Sequence, residues 1–330
     1  MRRALFCFVF SLCATSLSAC EDNRQDLEIA SERVKKDVSL IPPLPADVPK
    51  DIKFERLLSD YQRMNVRLER VGARLRAANK SLCTKTFRDP GFTVHTLEDY
   101  APRLQMFAES LLGVSSNGLY IRSVRRGSPA EGADIEAGDR LVKLNGQTIP
   151  SGPTMKRFYG ALSRGAFGGI KTKLSLRTPD GVDYETSLNS ETACDYPTSV
   201  FHSNEVNGHT NGEEVFITSQ LMRLVADDVN LALIVAHEMA HAIAGHMEQT
   251  PSQGLELEAD RMALVMLERA GYDIDGAITY WADAVHPHRD RQDNSTSHPT
   301  IQARYENFRR EQRRIEKLKA AQKPLIFRTE

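Results

Sequence analysis

Residues 234–246 read IVAHEMAHAIAGH: three histidines and one glutamate in a stretch otherwise built from aliphatic side chains, alanine and glycine. A helix with so little polar surface is a buried one, and a buried helix carries ionisable groups only where something holds them. Two readings compete, a metal site and core histidines satisfied by hydrogen bonds. His237-Glu238-Met239-Ala240-His241 has HExxH spacing. On a helix the two histidines stand roughly 40° apart and one turn removed, so both imidazoles reach one cation. Glu238 stands beside them, placed to take a proton from a metal-bound water and pass it to a leaving amine. His246 lies roughly 160–180° around a continuing helix from His237, which assigns it a structural or rim role. Metzincins place a glycine three and a histidine six residues after the second ligand; here those positions are Ala244 and Met247.

The next periodic stretch, GLELEADRMALVMLERAGY from Gly254, reads as a helix with Leu255, Ala259, Met262, Ala263 and Met266 facing inward. Glu256 and Asp260 stand four apart on one face of it. Glu256 would complete a His-His-Glu set that leaves a fourth position for water, as catalytic zinc prefers. Asp260 would accept the ring N–H of a ligand histidine and fix its orientation. Glu258 points elsewhere and is expected to be solvated or salt-bridged.

HExxH followed by ExEAD resembles the HtpX/BepA/CAAX-prenyl endopeptidase family of zinc metallopeptidases, gluzincins. The similarity extends upstream through VNGHTNGEEVFITSQLM and downstream through SHPTIQARYENF, about 195–315. It implies a mainly α-helical zincin-type domain with a small β-sheet, one Zn2+ per chain and endopeptidase activity. His237, His241 and Glu256 would be the metal ligands, Glu238 the catalytic base and Asp260 a support behind a ligand. Gly208-His209 departs from the aromatic usage common in the family. His298, before Pro299, matches a histidine-proline pair of the BepA-like members. It is either a contact closing over the metal or a plain loop histidine. Arg304 is either a substrate contact or half of a salt bridge.

Residues 113–190 change character, with short β-type runs separated by glycine, proline and aspartate. GSPAEGADIEAGDRLVKLNGQTI, starting at Gly127, resembles a bacterial PDZ domain of the protease-associated type. Asn145-Gly146 suits a tight turn with positive φ, and Gly138 a helix-to-strand corner. PDZ domains take an extended peptide, often a C-terminus, onto a sheet edge. The resemblance places the carboxylate-binding loop near Asn117, Gly118, Leu119 and Tyr120.

The N-terminus, MRRALFCFVFSLCATSLSAC, has a basic start, a short apolar run and small residues before Cys20, as a secretory signal has. Leu17-Ser18-Ala19-Cys20 resembles a lipobox, which implies lipidation of Cys20 and, with Glu21 following, outer-membrane sorting. No other segment reaches about 18 apolar residues without charge. That sets aside an intramembrane protease, the other class that joins HExxH to PDZ. Beyond Cys20 the remaining cysteines are Cys83 and Cys194. In an oxidising compartment a disulfide is the default for such a pair, the alternative being two buried thiols. A net charge of −1 argues against nucleic acid as a partner.

The expected fold is therefore α+β: signal peptide 1–19, tether 20–50, N-terminal part of a peptidase domain 51–112, PDZ domain 113–190 and catalytic domain 191–330. The amphipathic run at 52–80, with Leu57, Leu58, Tyr61, Met64, Leu68, Val71 and Leu75, is the first helix. The expected activity is that of a periplasmic, membrane-anchored zinc endopeptidase acting on unfolded or misassembled envelope proteins. The alternative is a PDZ-based binding or chaperone module with a latent or structural zinc site.

Overall fold

A computed structural model describes residues 6–8, 50–151, 171–285 and 299–327. Cys20, His298 and most of the expected signal and tether lie outside these residues. The described chain divides into two units. One holds Arg74–Thr84 and Tyr196–Glu330 together with the N-terminal residues; the other holds Pro43–Ala73 and Lys85–Asp195.

In the first unit, β10 (Thr198–Phe201), β11 (Gly208–Thr210) and β12 (Val215–Thr218) form a sheet with β1 (Phe6–Phe8), in the order β1-β11-β12-β10. β10 runs parallel to β12, while β11 is antiparallel to both its neighbours. The alternation at Val215 and Ile217 puts both side chains in the core. β12 is thus an interior strand with one apolar face. Thr218 ends it and caps α3 (Ser219–Leu224), its hydroxyl accepting from the Leu221 N–H at 3.3 Å. Asp227 likewise caps α4 (Asp228–Ile243) by accepting from the Asn230 N–H at 2.9 Å.

From Asn230 to Ala242 every residue of α4 is buried. It packs against α5 (Gln253–Arg269), β11 and α6 (Ile274–Val285), and α5 in turn packs against α7 (Ile301–Ala320). The C-terminal end of the first helix, α1 (Lys50–Ala78), is tied into this unit by polar contacts. Arg74 donates to the Ala270 and Gly271 carbonyls at the end of α5, at 2.6 and 2.8 Å, and buried Asn79 donates to the Met266 carbonyl at 3.1 Å.

The second unit is built on the strand order β3 (Phe92–His95), β4 (Leu119–Val124), β5 (Arg140–Leu144), β7 (Lys171–Arg177) and β8 (Asp183–Asn189), with β6 (Gln147–Thr148) paired to β5. Phe92, Leu119, Ile121, Ile135, Leu141, Leu174 and Leu176 fill its core. Asn145 and Gly146 take φ of +50° and +82° and join β5 to β6 in a two-residue loop, the turn the sequence called for. A second cluster places Leu58 of α1 with Leu104 and Ala108 of α2 (Pro102–Leu112). β2 (Thr86–Asp89) pairs with β9 (Glu191–Cys194).

The boundary expected at residue 113 moves. The sheet already begins at Phe92, and residues 85–112 belong to the β-rich unit. Of the expected N-terminal peptidase part, only residues 74–84 fall in the helical unit. Cys83 and Cys194 are disulfide-bonded. No described helix is long and apolar enough to cross a membrane.

Candidate metal centre

One turn of α4 separates His237 from His241, and α5 lays Glu256 across from both. His237 Nε2 and His241 Nε2 are 3.2 Å apart, and each faces a Glu256 oxygen, at 3.5 and 3.3 Å. All three side chains are at most 4% exposed. Their donor atoms lie within 4.8 Å of one another and can hold a metal ion. Two imidazoles and a carboxylate converging in a buried space are the donor set that a borderline-soft cation with nitrogen and oxygen ligands takes.

The electrostatics agree. Burial works against a charge on His237, but Asp260 and Glu256 outweigh it and raise the imidazole to about 9. The surroundings therefore stabilise positive charge at this point. Glu256 Oε2 has no hydrogen-bond partner among the described residues, and neither has either oxygen of Glu238, which is 0% exposed. A buried carboxyl in that state is costly unless a ligand or water answers it. Burial pushes the Glu238 carboxyl well above the ordinary carboxylate range, while the neighbouring His237 pulls it down.

Behind the ligands, Asp260 Oδ1 comes within 2.9 Å of His237 Nδ1. Arg304 of α7 binds Asp260 with two nitrogens, Nη2 to Oδ1 at 2.6 Å and Nε to Oδ2 at 2.8 Å. Burial raises the Asp260 carboxyl, yet Arg304 and then His237 more than offset this and hold it below its usual range. Trp281 lies against the guanidinium, its ring centre 5.4 Å away. Of the two sequence readings of Arg304, the salt bridge is the one observed.

His246 departs from its expected place. The angle that carried it to the far side of the helix assumed that the helix continues. Instead α4 stops at Ile243, Gly245 takes φ of +67°, and a short turn from His246 to Glu248 brings the ring back. His246 is 1% exposed, and its Nδ1 lies 3.0 Å from Nδ1 of His241. Its Nε2 faces Glu258 Oε2 at 3.7 Å, so Glu258 is turned toward the centre's surroundings rather than away. The signal for this return was present in Gly245, a helix-stopping glycine.

The residues of the expected PDZ loop lie at the start of β4. Gly118 precedes β4, and Leu119 and Tyr120 are buried within it. β4 is hydrogen-bonded to β3 on one side and to β5 on the other. Among the described residues, the strands at the two ends of that order are β3 and β8.

With this geometry in view, comparison with known proteins gives two family matches. Residues 120–168 match the PDZ domain, and residues 193–256, which include His237, Glu238, His241 and Glu256, match "Peptidase family M48". No curated protein matches the chain. Among solved structures, the chain is similar to the HtrA3 PDZ domain bound to a phage-derived ligand (FGRWV), at 24% identity. That similarity covers 32% of this chain and 88% of the other, with a TM-score of 0.24. The chain thus resembles a peptidase of family M48, a metallopeptidase family, that carries a PDZ domain.

Proposed function

We propose that the protein is a zinc-dependent endopeptidase. The observation that carries this is the convergence of His237, His241 and Glu256 on one buried point beside a partnerless Glu238. Zinc bound by the three ligands would lower the pKa of a water and polarise a scissile carbonyl. Glu238 takes the proton from that water and returns it to the leaving amine. Asp260, gripped by Arg304, keeps His237 turned toward the centre.

The substrate enters as an extended chain along β11. This strand lies against α4, and its outer edge already pairs antiparallel with Phe6–Phe8. Cleavage of a signal before Cys20 would remove β1 and leave that edge to substrate. The PDZ unit holds a peptide, often a C-terminus, by strand addition at an edge of its sheet. A lipidated Cys20 anchors the protein in the periplasm, at the outer membrane, where unfolded or misassembled envelope proteins are the substrates.

The full burial of Glu238 favours a second reading, in which the centre is latent and the PDZ unit acts as a binding module until access opens. Zinc stoichiometry measured together with casein hydrolysis, with and without chelator, separates the two. Chelator-sensitive cleavage that Glu238→Gln abolishes supports the peptidase. One bound zinc without turnover supports the binding module, and no bound zinc defeats both.

A further inference from the structure

The two ligand histidines are supported differently. His237 has Asp260 behind it, whereas the atom behind His241 is a nitrogen of another imidazole, His246 Nδ1 at 3.0 Å. Two imidazole nitrogens at that distance share one proton, and which ring owns it is decided at the outer ends of the pair. At one end, His241 Nε2 faces Glu256 and His237, the point where the three donor atoms converge. At the other, His246 Nε2 faces the Glu258 carboxylate, which only accepts.

We infer that His246, with Glu258 behind it, is a positioning residue that sets the tautomer of His241 for metal binding. The negative charge of Glu258, 3.7 Å away, favours the His246 proton on Nε2. His246 Nδ1 is then a bare acceptor, and His241 must donate to it from Nδ1. His241 Nε2 is left as a lone pair aimed at the metal. The opposite assignment would put a proton on the nitrogen that has to bind. The backbone fixes the arrangement, because Gly245 with φ of +67° turns the chain so that His246 packs back onto the helix it has just left. The ring planes cross at 75° with centres 4.9 Å apart, so the contact is edge-on through the nitrogens and not a stack.

The inference rests on the metal reading, and its test uses readouts other than turnover. Zinc affinity of the full chain is measured by competition with a chromophoric chelator for the unaltered protein, His246→Phe and His246→Gln. Phenylalanine fills the site without an acceptor, and affinity should fall about 10- to 100-fold, the usual effect of removing the partner of a metal-bound histidine. Glutamine supplies a carbonyl to His241 and an amide N–H to Glu258, and should recover most of the loss. Equal affinity in all three proteins, or equal loss in both variants, overturns the inference. An unaltered protein that takes up no zinc defeats the metal reading itself. Should His246→Phe fail to fold, a nitrogen-15 spectrum of the zinc-loaded unaltered chain decides: the expected His241 resonance is protonated at Nδ1, and protonation at Nε2 overturns the assignment.

Discussion

Arg304 and Asp260 form a two-nitrogen ion pair inside the helical unit, and Asp260 turns one of the same oxygens toward His237. The arginine stands on α7 and the aspartate on α5, while the histidine belongs to α4. One carboxylate therefore joins three helices at the point where a metal ligand must be held still. Asp260 is 0% exposed, and a carboxylate stripped of water at that depth persists only because its partner supplies two charge-assisted hydrogen bonds.

Removing the arginine should cost more than the pair itself contributes, because it strands a buried charge. Arg304→Met is expected to destabilise the protein by about 3–5 kcal/mol in urea unfolding. Zinc affinity should fall by about 10- to 100-fold as His237 loses its fixed orientation. Arg304→Lys keeps the charge but not the fork, and should fall between the two proteins in both measurements. An Arg304→Met protein as stable as the unaltered one would show that the pair holds nothing together.

Glu238 and Glu256 are both buried carboxylates within one cluster, yet their substitutions should separate cleanly. Glu256 faces both histidine nitrogens, so Glu256→Ala should lose stoichiometric zinc. Glu238 contacts neither nitrogen set through a hydrogen bond, so Glu238→Gln should keep the metal and lose about 10²- to 10⁴-fold in peptide hydrolysis. Metal analysis beside a casein assay checks both, and loss of zinc in Glu238→Gln would contradict the assigned roles.

The contrast between these residues and His246 shows what a sequence carries. HExxH and the Glu256–Asp260 spacing were legible because helical periodicity is local: four residues apart means one face wherever the helix lies. His246 was misplaced because the same periodicity was carried past Gly245, where the helix ends. The place of β4 between β3 and β5 was not legible, because strand order is a long-range fact. Its outer neighbour, β3, is drawn from residues 92–95 across the whole of α2. Arg304 stood out in the sequence, but its partner lies 44 residues away on another helix and nothing local names it.

The bond at Cys83 and Cys194 closes a long loop that contains strands β3 to β8 of the β-rich unit. Such a link restricts the unfolded chain more than the folded one. Replacing both cysteines by serine should lower stability by about 2–5 kcal/mol in chemical unfolding. Adding reductant should shift the unaltered protein by a similar amount and leave the double variant where it was. A reductant effect that persists in the double variant would place the sensitivity elsewhere.

His95 gives the β-rich unit a pH dependence of known sign. It is 3% exposed, and its Nδ1 lies 2.6 Å from the Tyr100 hydroxyl, which donates onward to Gln62. Burial, aided by the nearby Arg122 charge, lowers its pKa from 6.5 to about 3. Above pH 6.5 the ring is neutral in both the folded and unfolded chain, and its contribution is fully present. Between pH 6.5 and about 3 the unfolded chain takes up a proton that the folded chain refuses, so stability falls as pH falls. The slope from this one group is at most about 1.4 kcal/mol per pH unit. Carboxylates titrate in the lower part of the same window, so the comparison that isolates His95 is with His95→Gln, which has no proton to gain. Melting temperatures taken from pH 7 to pH 4 should fall more steeply for the unaltered protein than for the variant. Parallel curves would mean that the buried ring is protonated as readily as a solvated one.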